Sequence, residues 1–493
     1  MPAVRDFIRN GPKRLFIGGK WVESQEGKTF DDIDPATGEG LAQVYEAKEA
    51  DVDRAVAAAR RAFEGTWSSL TSGERGKLLW KLADLMEAHQ LELAQLESLD
   101  TGKPINEAMI GDIPQAINHF RYFAGWAGKV TGETLTPYGP SLPGEYLAFT
   151  RREPLGVVGA IVPWNFPLMI TSWKVAPALA CGNTVVLKPS EMTPLTALRL
   201  AELTQEAGFP PGVFNVLPGF GQPAGAALAD HMGVDKISFT GSVVVGRSVM
   251  QAAAQSNFKR VTLELGGKSP NIVFPDADLD AAISGVMMGI FFNQGEVCCA
   301  GSRLFLPKSQ FESMLQGLAD RAKQIRQGPG ISPMTTMGPL ISEKQMNRVL
   351  QYIETGKQEG AQVVCGGDRN EAAGPGYFVQ PTILLGEDRM TVSQEEIFGP
   401  VLVALPYETF DEVIQRANDT PYGLAAGIWS RDIKTALKAA HRIKAGTVWV
   451  NGYNVLDASS PWGGFKQTGV GREMGSYALE HYTEVKSVWV NLT

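Results

Sequence analysis

Short apolar runs alternate with longer amphipathic stretches through much of this chain. GVVGAIV (156–162) and TVVLKP (184–189) read as buried strands, with Pro189 ending the second. TPLTALRLAELTQEAG (193–208) has helical period between them and the next strand. Thr193 is its expected N-cap, Pro194 its first helical residue and Gly208 its C-cap. VFNVL (213–217), KISFTG (236–241) and RVTLEL (260–265) continue the rhythm, with helical patterns between them. It restarts near 270 with NIVFP (271–275), the helix LDAAISGVMMGIFF (279–292) and SRLFLP (302–307), then runs on through VLVALPY, AAGIWS and TVWVN. Strand, helix, strand at this spacing means parallel sheets with crossover helices. The pattern predicts an α/β protein of two doubly wound lobes joined near 265–270. TGETLTPYGPSLPGEYLAFTRREP (131–154) is rich in Pro and Gly and then β-prone, and EVKSVWVNL (484–492) reads as a strand. Two strands so isolated from the α/β rhythm are expected to pair with each other or with another subunit.

The totals narrow the class without naming a function. A chain of 493 residues suggests about two to four domains. With 44% hydrophobic and 20% charged residues it has the composition of a globular protein with a sizeable core. A net charge of −8 and no Lys/Arg block argue against nucleic acid or anionic membrane as partner. The start, MPAVRDFIRNGPKRLFIGGKWV, lacks a signal-peptide apolar region, and no apolar run is long enough to span a bilayer. Four cysteines without framework spacing fit a reducing compartment, so a cytoplasmic location is expected.

Chemistry enters at FFNQGEVCCAGSRLF (291–305), where Cys298 and Cys299 are adjacent. A disulfide between sequence neighbours is strained. A zinc pair needs CxxC-like spacing and further ligands. Buried packing thiols or a nucleophile remain. FTGSVVVG (239–246) puts Gly241, Ser242 and Gly246 at a strand-to-helix turn, where backbone N–H groups can meet a phosphate. PGFGQPAG (218–225), with Gly219, Gly221 and Gly225, misses the GxGxxG spacing by one residue. Tight turns alone explain both equally well. Lys188 and Glu191 of LKPSE follow a strand end, where α/β sheets bind ligands; a solvated surface pair is the alternative. Glu264 is the one charge in the apolar strand of LELGGKSP (263–270). Burial there would raise its pKa toward that of a general base, although a carboxylate capping the Gly turn is a serious rival. Asn165 of PWNFP (163–167) could donate to an oxyanion or simply make a turn.

The order of these segments carries more than each alone. PWNFPL, LKPSE, FTGS with Gly246, LELGGKSP, NQGEVCCAGSR (293–303), EEIFGPV (395–401) and PWGGFKQTGVGRE (461–473) together resemble the aldehyde dehydrogenase superfamily over essentially the whole chain. The resemblance is to its NAD-dependent, hydrolytic branch, which includes broad-range aldehyde and retinal dehydrogenases.

That resemblance implies two Rossmann-like lobes and a small β oligomerisation element. The implied units are 1–130 with 153–264 for NAD binding, 265–466 for catalysis, and 131–152 with 480–493 for assembly into a homo-oligomer, a tetramer in preference to a dimer. Cys298 is the implied nucleophile, with Cys299 a variable neighbour and Cys181 and Cys365 packing thiols. Asn165 and the Cys298 N–H would hold the oxyanion. Glu264 would activate water against a thioester, with a proton path through Lys174 and Glu473. For NAD, the resemblance implies Lys188 and Glu191 at the adenine ribose, and Gly241, Ser242 and Gly246 at the pyrophosphate. Trp164, Glu396 and Phe398 would lie at the nicotinamide ribose, with Val162, Gly221, Gly225 and Gly266 lining the same site. An apolar tunnel of Phe166, Trp173, Leu456 and Trp462 would take the aldehyde; no metal is implied. Leu456 and Trp462 stand where relatives often carry Phe, and Asp457 is a departure near the tunnel. A carboxylate at Glu191 disfavours NADP. Three rivals are weaker. A CoA-acylating enzyme has no need of Glu264. A cysteine hydrolase normally pairs its thiol with histidine, and none of His89, His119, His231, His441 and His481 lies in a recognisable motif. A mere binding protein has no reason to keep Cys298, Glu264 and Asn165 together.

Overall fold

The computed structural model describes residues 2–139 and 144–493. Two large sheets organise it. The first has eight strands, in the order Gly469–Val470, Arg260–Glu264, Lys236–Thr240, Val157–Ile161, Thr184–Lys188, Phe214–Val216, Leu15–Ile17, Lys20–Val22. Its five central strands are parallel. Successive residues of those strands feed opposite cores: Val157, Val186 and Ile237 pack on one face, Val158, Val185 and Leu187 on the other. This double burial explains why the strands read as apolar runs rather than alternations. The chain winds one way from Val157–Ile161 to Thr184–Lys188 and the other way to Lys236–Thr240. The carboxyl ends of these strands therefore flank a topological switch point, where such sheets bind ligands.

The second sheet has seven strands, with Pro270–Val273 between Arg303–Pro307 and Ala425–Trp429. It too is covered on both faces: Ile272, Phe305 and Val403 face one core, Val273, Leu304 and Leu402 the other. The mixed α/β fold with parallel sheets is the one the hydrophobic pattern predicts. The two sheets are stitched where Gly469–Val470, late in the chain, pairs antiparallel with Leu263 and Glu264.

The isolated strands pair with each other. Thr483–Asn491 lies antiparallel to Tyr146–Pro154 over nine residue pairs, and Thr134–Leu135 completes a three-stranded sheet. Residues 140–143 of the expected 131–152 hairpin lie outside the described residues.

One helix start needs correction. The helix runs Leu195–Ala207, with Pro194 in the N-cap place and no side-chain cap from its own segment. The Thr193 hydroxyl is buried without a partner. The Leu195 N–H instead donates to Asp100 Oδ2 at 3.0 Å, so a carboxylate from another helix supplies the cap. Gly208 ends the helix at φ 92°, as expected of a left-handed C-cap.

Candidate active site

The helix Leu279–Phe291 ends in a turn where Asn293, Gln294 and Gly295 take φ of 45°, 55° and 72°. Two consecutive non-glycine residues in the left-handed region are costly and need support. Support comes from outside the turn: the Asn293 N–H donates to Glu107 Oε2 at 3.0 Å, and Asn293 Nδ2 donates to the carbonyls of Asn165 (3.0 Å) and Glu296 (3.2 Å). The chain then delivers Cys298, which is half-buried, and Cys299, which is buried. The two thiols have different surroundings. Cys299 Sγ lies 3.5 Å from Asn454 Oδ1, and its carbonyl accepts from Tyr453 Oη at 2.8 Å. The adjacent Cys299 thiol, and then burial, hold the Cys298 thiol well above the usual cysteine range. At rest it is protonated, so a nucleophile here requires a base. Cys181 is buried, and burial pushes its thiol up to about 12; Cys365 Sγ rests 3.7 Å from the Pro381 carbonyl.

Glu264 closes the strand Arg260–Glu264, opposite Thr240 on one side and Gly469 on the other. The turn that follows lies against the Cys298 backbone, and Glu264 is near enough to Cys298 to feel its charge. A Cβ on Gly266 would sit 2.1 Å from Glu396 Oε2, and one on Gly267 would sit 2.4 Å from the Cys298 carbonyl oxygen. The glycine pair is thus wedged between a carboxylate and the cysteine backbone, with the Gly267 N–H donating to Glu396 Oε1 at 3.0 Å. Gly267→Ala should destabilise the protein by about 1–3 kcal/mol and displace the Cys298 backbone; thermal unfolding and the alkylation rate of Cys298 would check it.

Glu264 is 4% exposed, and its Oε2 has no partner. Burial, and then the charge of Glu473, raise its carboxyl well above the usual range. Glu473 Oε1 accepts from Lys174 Nζ, and from Ser238 Oγ at 3.0 Å; its Oε2, like that of Glu264, is buried and free. Lys174 stands on Pro167–Ala180, a helix buried along its whole length. Sequence reading missed Ser238, which lies inside a strand with nothing to distinguish it from a packing residue. It also missed Phe292, which stacks on Phe166 at 6.1 Å between centroids. The double Phe at 291–292 was the available signal.

Asn165 lies four residues beyond the end of the strand Val157–Ile161 and is 3% exposed. Its Nδ2 donates to the Glu296 carbonyl at 2.9 Å. A primary amide has two N–H donors; this bond spends one and orients the other. Asn165, Glu264 and Cys298, with 133 positions between the first and the last, are therefore linked through the 264–267 turn and the 293–298 turn.

Beside this junction, at the switch point of the first sheet, opens a cavity of about 1150 Å³. That exceeds the roughly 300–1,000 Å³ of common small-molecule pockets. Val162, Trp164, Lys188, Glu191, Gly221, Gly225, Gly241 and Ser242 line it. Lys188 Nζ donates to Glu191 Oε2 at 3.2 Å, and burial lowers the lysine. Ser242 caps the helix Val243–Gln255 through its Oγ, so that helix's amino end faces the cavity. Gly246 does not line it. A Cβ there would meet Leu265 Cδ2 at 2.7 Å, so this glycine lets the helix pack closely on the neighbouring strand rather than reaching a ligand. Gly266, Glu396 and Phe398 also lie outside the lining but adjoin it, because the Phe398 ring meets Trp164 edge-on at 5.2 Å. Burial raises Glu396 to about 7.

Trp173 and Trp462 are 5.8 Å apart and almost fully buried, as is Phe166. Leu456 is half-buried, and its carbonyl accepts from Gln115 Nε2 at 2.9 Å. Asp457 is exposed and accepts from the Ser459 N–H at 2.9 Å, a local turn contact.

Known proteins resemble this chain over nearly its whole length. The sequence profile of the Aldehyde dehydrogenase family matches residues 21–488. DhaS of Bacillus subtilis (strain 168) is 58% identical over 484 residues, 98% of this chain and 96% of its own length. Retinal dehydrogenase 2 of Homo sapiens is 50% identical over 482 residues, 97% of this chain and 92% of its own. The NAD+ complex of aldehyde dehydrogenase from Bacillus cereus is 52% identical and superposes with a TM-score of 0.97, covering 100% of this chain and 99% of that one. Fold, identity and coverage agree, and the chain belongs to the aldehyde dehydrogenase family.

Proposed function

We propose that this protein oxidises an aldehyde to the free carboxylic acid with NAD, through an acyl thioester on Cys298. The observation that carries the reading is the meeting of a thiol, a partnerless buried carboxyl and an oriented amide beside a dinucleotide-sized cavity. The cavity suits NAD: the amino end of the helix Val243–Gln255 suits a pyrophosphate, and Lys188 with Glu191 suits ribose hydroxyls. Trp164 lines the cavity, and Phe398 packs edge-on against the Trp164 ring. Bound NAD supplies the hydride acceptor.

The chain's own residues do the rest. Ionised Glu264 takes the Cys298 thiol proton, and the sulfur adds to the aldehyde carbonyl. The free N–H of Asn165 Nδ2 and the Cys298 backbone N–H stabilise the resulting oxyanion. Glu264 releases that proton, and once Cys298 carries the acyl group as a thioester the ionised carboxylate takes a second one, from the attacking water. Glu473 and Lys174 take that proton onward. Phe166, Trp173, Leu456 and Trp462 keep the aldehyde's substituent out of water. Indole-3-acetaldehyde dehydrogenase and retinal dehydrogenase are among the related proteins, and the apolar, aromatic wall fits a bulky substituent of that general kind.

The units 1–130 with 153–264, 265–466, and 131–152 with 480–493 remain our division into NAD-binding, catalytic and assembly parts. Thr483–Asn491 is an edge strand with Val485, Trp489 and Val490 exposed. Such an edge invites pairing, which supports a homo-oligomer, a tetramer in our reading. Among the described residues no helix is long and apolar enough to cross a membrane; the cytoplasm remains the proposed compartment.

The test is NADH absorbance with purified protein, NAD and a panel of aliphatic, aromatic and betaine-type aldehydes. NADH with equimolar acid supports the reading; binding of NAD without turnover on any aldehyde defeats it. The cofactor assignment has its own test. Glu191→Ala should raise KM for NAD about 10-fold, the scale of losing a hydrogen bond to a charged group, and should narrow the preference for NAD over NADP. An unchanged KM would remove Glu191 from the ribose site.

A further inference from the structure

Behind Asn165 lies a buried charged cluster that the mechanism above does not use. Lys103 directly follows Gly102, the left-handed cap of the helix Gln90–Thr101, and is fully buried. Its Nζ donates to Asp112 Oδ2, and to the Asn165 carbonyl at 2.8 Å. It also sits 4.1 Å from the centroid of the Phe166 ring. The same Asn165 carbonyl accepts from Asn293 Nδ2 at 3.0 Å. Glu107, from the next helical segment, holds the Asn293 N–H. Glu97 and Glu296 complete the acidic surroundings; Glu296 Oε1 accepts from the Ile341 N–H at 3.0 Å. Burial raises the Glu97, Asp112, Glu107 and Glu296 carboxyls.

We propose that Lys103, held by Asp112, is a positioning residue for the oxyanion: it fixes the Asn165 peptide so that the free N–H of Nδ2 keeps its aim. The inference rests on the function proposed above. Two features favour it over a role in stability alone. A buried ion pair is often no more stabilising than apolar residues of the same volume, so the ammonium needs another reason to be there. Its second bond goes to the peptide that carries the oxyanion donor. That peptide is tied at both ends, by Lys103 and Asn293 at its carbonyl and by Glu296 at its side chain. Preorganised donors are effective because they do not reorient as charge develops.

The experiment compares two reactions of the same sulfur. With p-nitrophenyl acetate, the sulfur–carbonyl carbon bond forms through an oxyanion and nitrophenolate leaves. With iodoacetamide, the sulfur–carbon bond forms as iodide leaves, and no oxyanion appears. In Lys103→Met, and in Lys103→Met/Asp112→Asn, which removes the carboxylate left unpaired, kcat for aldehyde oxidation and the acylation rate should fall together by about 10- to 100-fold. This is less than the about 10²–10³ cost of deleting an oxyanion donor outright. The alkylation rate and the Kd for NAD should stay within about twofold of the parent. Equal losses in alkylation and acylation would overturn the proposal by making the cluster merely structural, and unchanged acylation would overturn it by freeing Asn165 of Lys103. A parent protein that oxidises no aldehyde would instead defeat the function on which the proposal rests.

Discussion

Cys298→Ser should lower kcat for aldehyde oxidation by about 10⁴-fold or more, the scale seen when a nucleophile is removed from a covalent mechanism. Cys299→Ser should keep most of the activity. The asymmetry is not obvious from two adjacent thiols. It follows from their surroundings: Cys299 is buried with its sulfur beside Asn454, whereas half-buried Cys298 follows the turn braced by Asn165 and adjoins Gly267. A serine hydroxyl at 298 is a far weaker nucleophile, and Glu264 is not basic enough to ionise it. NAD binding should survive, because Cys298 is not part of the cavity lining. NADH production by both variants, with titration of NAD into each, reads the result. Full activity in Cys298→Ser with loss in Cys299→Ser would reverse the assignment.

Glu264→Gln should slow the first turnover, because solvent must then take the Cys298 proton, and abolish most of the later ones, because water is far harder to deprotonate than a thiol. Loss of a general base costs about 10²–10⁴-fold, and the loss should concentrate in thioester hydrolysis. Rapid mixing should then show NADH formed to about one equivalent per active site, followed by a slow steady state. The pH dependence has a definite sign. Burial, and then the Glu473 charge, raise the Glu264 carboxyl. Below that raised pKa the group is protonated and cannot accept the water's proton, so kcat for hydrolysis should climb as pH rises through it. The limb should vanish in Glu264→Gln. A parent profile without the limb, or a variant with unimpaired steady-state turnover, would assign the base elsewhere.

Much of this molecule is legible in its sequence because parallel strands buried on both faces leave an unambiguous trace. The runs at 156–162, 184–189, 236–241 and 302–307 all became strands within a residue or two of where the pattern put them. Before residue 130, where the sequence reading named no element, the chain forms the hairpin Thr29–Ile33 with Gly40–Tyr45 and several helices. The helices carry polar outer faces and their strands are short, so no run of apolar residues announces them. Thr193 was a reasonable cap by local rules, but the Leu195 N–H found Asp100, a partner no local rule contains.

The site divides in the same way. Chemistry that depends on residue type was readable: a thiol between apolar runs, a carboxylate in an apolar strand, glycines at turns. The sequence by itself determined the two α/β lobes, the family resemblance and the reactive types. Only the tertiary structure decided which thiol is held by Asn454, that Gly246 packs against Leu265, and that Lys103 and Asn293 share the Asn165 carbonyl. The physical reason is range. Periodicity and turn preference act between residues a few positions apart. Burial, hydrogen-bond direction and the pKa of Glu264 depend on partners such as Glu473, which reach the site only when the late strand Gly469–Val470 pairs with Arg260–Glu264.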